Sequence, residues 1–381
     1  MSTNSTDGIR SHGIDFCTFG MFIIDEIEFE EPEPSVNDIM GGAGSYAVVG
    51  ARMVAGQEHS RSVGWIVNVG SDFPESIRET ITSWNTHCLF RENMDRLTTR
   101  GWNGYGPNEK RDFKYLTPKI RLDHNSLSEG LLLSKSFHMV CSPARCCEII
   151  QGVLERRRKL IENGNLLASR RPIFVWEPVP DLCRPEELSR FYEALKHVHV
   201  VSPNEYELAQ FFGKDTWDSG NRDDRAIADN IVNSGIGPDG QGLLVIRAGK
   251  EGCYAFSRGR SLALPALQHA NVVDPTGAGN TFLGALAQAL VSAGPIHVIN
   301  SELEQWPPWL QICTEWEGDG IIPSALICAT VAASFSIEQV GMPQISSDNA
   351  AELWNGTGYT ERLRVYTKQL KEIFDKSTHA I

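Results

Sequence analysis

What this sequence lacks narrows its function first. Nine cysteines are an odd number, Cys146 and Cys147 are adjacent, and no C-x-x-C pair occurs, so neither a disulfide framework nor a zinc module is indicated. That usage fits a reducing compartment. No run of about 18 apolar residues is present for a membrane span, and Met1 to Ser11 is polar without a signal-peptide core. The expectation is therefore no membrane partner and a cytoplasmic location. Basic residues are few: 35 Lys and Arg stand against 48 Asp and Glu, a net charge of −13, which argues against a nucleic-acid partner. The one basic run, Arg156-Arg157-Arg158-Lys159, reads as a solvated helix end. His138 and His199 are isolated and offer neither metal nor nucleophile chemistry. No G-x-G-x-x-G follows an early strand with an acidic residue about 20 positions later, which counts against a nicotinamide-dependent dehydrogenase.

What is present is a chain that is 41% hydrophobic, ample for one large α/β domain with insertions. Short apolar runs alternate with helical patterns: Ile173-Phe174-Val175-Trp176, a helix starting near Pro185, Val198-His199-Val200-Val201, then Leu243 to Ile246. Buried strands separated by helices predict a parallel sheet covered on both faces, with ligands at the carboxyl ends of its strands.

The most informative stretch is Asn271-Val272-Val273-Asp274-Pro275-Thr276-Gly277-Ala278-Gly279-Asn280-Thr281-Phe282. It reads as a strand passing through a small-residue turn into a helix carried by Phe282, Leu283, Leu286 and Leu290. Gly277, Ala278 and Gly279 let the backbone approach a ligand closely, and the first N–H groups of the helix are unpaired, so a phosphate is stabilised there.

This stretch resembles the D-T-x-G-A-G-D signature of the ribokinase-like (PfkB) carbohydrate and nucleoside kinases, with Asn280 where the family has its last aspartate. Other segments resemble the family in the same order. Phe19 to Asp25 is similar to its first strand, whose trailing aspartate, here Asp25, grips substrate hydroxyls. Gly41-Gly42-Ala43-Gly44-Ser45-Tyr46 is similar to its substrate-side diglycine motif, with Tyr46 in place of the usual asparagine. Gly70-Ser71-Asp72 resembles its G-x-D segment. Pro203-Asn204-Glu205-Tyr206-Glu207 resembles its P-N-x-x-E motif, which implies that Asn204 and Glu207 organise Mg2+ and phosphate through water. Leu243 to Gly252 resembles the nucleotide-side strand and turn, bringing Arg247, where threonine is commoner, and Gly249. That arginine contacts phosphate or faces solvent.

The resemblance covers about residues 14–345 and implies a three-layer α/β/α sandwich with a mostly parallel sheet and a small β lid. It implies lid segments at about 27–40 and 93–121, which in this family also form homodimer contacts. A tail over 1–13, an insertion at about 295–320 and a C-terminal helical segment over 346–381 complete the expected layout. The helix ending at Phe335, with Gly341 after it, is similar to the wall of the family's adenine pocket. In the family, Asp274 and Thr276 would brace the nucleotide loop, sometimes around a monovalent cation.

Function is then an ATP-dependent phosphotransferase acting on a hydroxyl of a small-molecule substrate: a sugar, a nucleoside or a related polyol. Asn280 complicates it, because an amide cannot take the proton that the family's aspartate takes, and general-base catalysis is worth about 10²–10⁴-fold in rate. Asp25, a water or Asp274 would have to take over, and Asp25 is the preferred substitute. The alternative is a catalytically silent relative that keeps a nucleotide or metabolite site and acts through partners. Divergent fungal members of the maintenance-of-killer type are similar in carrying asparagine at this place.

Overall fold

The computed structural model describes residues 13–28, 34–105, 111–292, 299 and 321–378. Strands β1 (Phe16–Thr18), β4 (Val63–Val69), β5 (His87–Glu92), β8 (Ser136–Cys141), β9 (Ile173–Pro178), β10 (Val200–Val201), β11 (Leu243–Arg247), β12 (Cys253–Ser257) and β13 (Arg260–Leu264) form one sheet in the order β13-β12-β11-β10-β9-β8-β1-β4-β5. All pairings are parallel except those made by β12. Strand order reverses between β1 and β8, since the chain builds outwards to β5 on one side and to β13 on the other. Such a reversal opens a crevice at the carboxyl ends of the two strands.

Alternation sends successive side chains to opposite faces. In β11, Leu243 and Val245 enter one core while Leu244 and Ile246 enter the other. The first core is covered by α1 (Ala43–Ala55), α2 (Glu75–Ser83), α8 (Ala278–Ala289), α9 (Ile321–Ser336) and α10 (Tyr359–Thr378). The second is covered by α4 (Pro143–Glu162), α5 (Leu188–Leu195), α6 (Glu205–Phe211) and α7 (Arg222–Asn233). The short α3 (Glu129–Leu132) precedes β8.

A second sheet, ordered β3-β2-β6-β7, joins β2 (Ile23–Glu28) and β3 (Val36–Gly41) to β6 (Arg100–Tyr105) and β7 (Arg111–Tyr115). The two extensions thus fold together as the small β lid. Asp72 ties it down, accepting from the Thr98 N–H at 2.7 Å and from Arg100 Nε at 2.5 Å, while Arg100 also pairs with Asp38 at 2.9 Å. The G-x-D segment therefore braces the lid, and Gly70 is required because a β-carbon would collide with the Leu97–Thr98 backbone.

Four sequence expectations change. The first strand ends at Thr18, and Asp25 belongs to lid strand β2, because residues 19–22 turn the chain out of the main sheet. Segment 346–381 is not helical throughout: strands β14 (Ile345–Asp348) and β15 (Ala351–Trp354) pair as a hairpin before α10. The basic run is not simply solvated, because Arg157 is buried and donates to the carbonyls of Leu132, Ala168 and Arg170. Arg247 does not face solvent. The tail over 1–12 and nearly all of the 295–320 insertion lie outside the described residues.

Candidate active site

Two helices meet at the centre of the site. α1 begins after Gly42, at φ +89°, and α8 begins after Gly277, at φ +80°. They cross in backbone contact: a β-carbon on Gly50 would strike the Thr281 carbonyl, and one on Gly284 would strike the Ala47 carbonyl. This crossing fixes the substrate-side diglycine motif against the phosphate-type turn.

At that turn Asp274 is buried and accepts from the Thr276 N–H at 2.9 Å. The Val273 and Asp274 N–H groups bond the Ile337 carbonyl just past α9. Thr281 closes the first helical turn onto the Gly277 carbonyl at 2.8 Å, and no side chain caps the helix. The Gly279 and Asn280 N–H groups precede that first closure, so the terminus keeps donors and a partial positive charge for an anion. Asn280 is half-buried, and its Oδ1 has no hydrogen-bond partner among the described residues.

The two glycines answer to protein neighbours as well as to any ligand. A β-carbon at Gly277 would enter the Tyr46 ring, and one at Gly279 would meet Arg247 Nη1. The replacement of asparagine by Tyr46 is thus accommodated by the left-handed glycine opposite it. Arg247 brings a guanidinium to the turn. Its Nη2 pairs with Glu177 Oε1 at 2.8 Å and Glu207 Oε2 at 3.0 Å, and donates to the Ser202 carbonyl at 3.1 Å.

Asn204 caps α6 through a reciprocal box, its Oδ1 accepting from the Glu207 N–H while Glu207 Oε2 accepts from the Asn204 N–H, each at 2.8 Å. Burial lifts the Glu207 carboxyl to about 7 against the pull of Arg247, and burial likewise raises Glu177. Arg247 is itself held above its ordinary value, because the two carboxylates outweigh the cost of its burial. Gly249, at φ +50°, serves the tight turn closed by Ala248 and Gly252.

Sequence reasoning missed the row behind Arg247. Glu177 is the next-to-last residue of β9, and His138 in β8 lies beside it, Nε2 to Oε2 at 4.0 Å, with Nδ1 at 3.0 Å from Thr18 Oγ1. A charged residue directly after Ile173-Phe174-Val175-Trp176, at the carboxyl end of a buried strand, was the available signal for Glu177. Burial, with Arg247 adding to it, drops the His138 imidazole to about 3, so it is neutral.

Asp25 is buried in the lid sheet, enclosed by Gly41 and Gly101, where a β-carbon on Gly41 would strike its carboxylate. Asp25 and Gly41 therefore meet. Nearby, a cavity of about 320 Å³ is lined by Gly20 and Met21 after β1, Cys141 and Ser142 at the end of β8, and Ala43 at the start of α1. It occupies the crevice where strand order reverses. Ala43 in the cavity wall and Tyr46, whose ring lies against Gly277, are one helical turn apart on α1, about 5 Å along the axis.

A nucleotide fits the uncapped α8 terminus and the Arg247 guanidinium. For a divalent ion, Asn204 Oδ1 and Glu207 Oε2 already accept from N–H donors, so they suit a metal held through water and not direct ligation. No group of three or more His, Cys, Asp or Glu that could hold a metal occurs among the described residues.

The fold defines a class, that of the ribokinase-like sugar and nucleoside kinases. A pfkB family carbohydrate kinase model matches residues 177–305, which include both the Asn204 and the Asn280 motifs. The chain is 35% identical over 374 residues to an uncharacterized protein of Schizosaccharomyces pombe, covering 93% of each. It is 30% identical over 370 residues to Protein MAK32 of Saccharomyces cerevisiae, covering 92% of each. A putative ribokinase II from E. coli, solved in complex with ATP and Mg2+, shares the fold with a TM-score of 0.59 at 15% identity, covering 93% of this chain and 99% of that one. The chain belongs to the pfkB family, as a divergent member similar to MAK32. None of its described helices is long and apolar enough to cross a membrane.

Proposed function

We propose that the protein is an ATP-dependent phosphotransferase acting on a hydroxyl of a sugar, nucleoside or related polyol. The observation that carries this reading is the uncapped α8 terminus with Arg247 against it, packed on α1, whose first residue Ala43 lines the lid-side cavity at the strand-order reversal. The terminal phosphate lies on the Gly277–Gly279 turn, where N–H donors and the guanidinium stabilise the charge that develops as the phosphoryl group transfers. A second cavity of about 570 Å³, bounded by Asn271, Glu338, Gln344 and Asn355, offers room for the rest of the nucleotide. Mg2+, when bound with the nucleotide, neutralises phosphate charge, and Asn204 and Glu207 reach it through water. Asp274 braces the loop and offers a carboxylate to a monovalent cation.

Asn280 holds the accepting hydroxyl in place through its unpartnered Oδ1. The hydroxyl oxygen attacks the terminal phosphorus, the bond to the ADP oxygen breaks, and the hydroxyl proton leaves to water. Positioning and electrostatic stabilisation carry most of such a transfer, so the missing base slows turnover without abolishing it.

A second reading, binding without turnover, is favoured by Asn280 itself, whose amide cannot take the hydroxyl proton. Asp25 is held in the lid and Asp274 accepts from the Thr276 N–H. The deciding experiment is phospho-product detection over a panel of sugars and nucleosides with the native chain and Asn280→Asp. Product from the native chain establishes the phosphotransferase, and product from Asn280→Asp alone shows an assembled site that the native residue leaves without turnover. No product from both, with ATP still raising the melting temperature, establishes the binding protein.

A further inference from the structure

The lid-side cavity differs chemically from a neutral polyol site. Lys119, Arg121 and Arg145 all line it, and no carboxylate does among the described residues. In a chain with 48 acidic and 35 basic residues, that is the reverse of the overall bias. None of the three cations forms an ion pair with a described residue, whereas Arg247 and Arg100 do. Two of them are held in place. Arg145 is half-buried and donates from Nη2 to the Leu122 carbonyl at 2.8 Å, and Lys119 lies over the Tyr115 ring with Nζ 4.1 Å from its centre. Arg145 also stands in the first turn of α4, whose N-cap Ser142 lines the same cavity, so the positive end of a 20-residue helix adds to the three charges.

Unpaired cations converging on a walled cavity cost self-repulsion that an anion relieves, and charge-assisted contacts to phosphate or carboxylate are the strong class of hydrogen bond. At about 320 Å³ the space admits a sugar-sized molecule with one such group. The apolar part of the wall, Phe19, Ile149 and Val179, gives a carbon skeleton a surface to lie on.

The geometry points to an acceptor that carries its own anionic group, a phosphate ester or carboxylate on a sugar-sized polyol, bound by Lys119, Arg121 and Arg145. The word acceptor rests on the phosphotransferase reading; the anion site itself does not.

The test is thermal shift with the full chain, using ribose 5-phosphate, gluconate and ribose, each with and without ATP. Ribose 5-phosphate or gluconate should raise the melting temperature where ribose does not, and which of the two acts says whether phosphate or carboxylate is the group read. The shift should shrink from low to physiological salt, as exposed charges are screened. Arg145→Gln should weaken the apparent affinity about tenfold, the scale of one charge-assisted contact. Arg121→Gln, at an exposed position, should weaken it severalfold, and both variants should keep the shift given by ATP. An equal shift with ribose, or unchanged affinity in both variants, overturns the proposal. Loss of the ATP shift with retention of the ribose 5-phosphate shift overturns the kinase reading and leaves the anion site standing.

Discussion

Two cationic places lie close together in this protein and are built in opposite ways. Arg247 is buried between Glu177 and Glu207 and against Gly279, its charge compensated by the two carboxyls. Lys119, Arg121 and Arg145 surround a cavity with no carboxylate among its described lining residues. A buried charge must be paired or the fold bears its desolvation, whereas charges at a water-filled cavity can wait for a ligand. The first arrangement therefore belongs to the architecture of the turn, and the second to what the protein binds.

Breaking each side should give different signatures. The largest effect is expected at the turn itself: Asn280→Asp restores a proton acceptor and should raise phosphoryl transfer by about 10²–10⁴-fold, read as phospho-product per unit time. Removing Arg247 comes next. Arg247→Met leaves Glu177 and Glu207 facing each other without a counter-charge, and breaking a buried pair in this way costs about 3–5 kcal/mol, measurable by urea unfolding. Adding Glu177→Gln and Glu207→Gln to that variant should recover much of the loss, which would separate the charge effect from packing.

Gly279→Leu sharpens the same side by a route that spares the cavity. Its side chain must displace the Arg247 guanidinium and cover the helix terminus, so the ATP-induced rise in melting temperature should vanish, about 2.7 kcal/mol of ligand stabilisation at a hundredfold excess over Kd. The ribose 5-phosphate shift should survive. Survival of the ATP shift would place the nucleotide elsewhere.

The smallest effect is in pH dependence. His138 has its folded value lowered from the ordinary 6.5 to about 3, chiefly by burial. The unfolded chain then binds more protons across that range, and this contribution to stability is present above 6.5 and lost as pH falls. Glu207 is raised from 4.5 to about 7, so its contribution is present below 4.5 and lost as pH rises towards 7. The two oppose between 4.5 and 6.5. His138→Gln should therefore flatten the acid limb of unfolding free energy against pH, leaving the Glu207 limb; an unchanged acid limb would mean that His138 is charged in the folded state.

Much of this was legible in the chain. The Asn204 and Glu207 spacing specified a capping box, and the structure contains one, because i to i+3 reciprocity at a helix start is a local geometry. The small-residue turn and the helix after it read correctly for the same reason, but the residues before the turn, 271–274, form no strand: the Val273 and Asp274 N–H groups bond the Ile337 carbonyl and not a strand neighbour. Asp25 was misplaced onto the main sheet, because an apolar run ending in an acid looks alike on a core strand and on a lid strand. Glu177 and His138 were missed because their importance comes from lateral neighbours, β8 beside β9 and β9 beside β10, which no local pattern records. The cavity cations come from the lid's return segment and from α4, and only the reversal of strand order between β1 and β8 brings those segments together.

The sequence by itself determined the class of fold, the phosphate-type turn and the loss of the aspartate at Asn280, since periodicity, glycine placement and residue identity are properties of short stretches. Only the tertiary structure decided that Arg247 is sequestered by two carboxylates, that Gly277 yields its space to Tyr46, and that three lid-side cations have no ion-pair partner among the described residues. Charge compensation and close packing depend on which strands become neighbours, and that is set by the energy of the whole assembled core rather than by any segment of the chain.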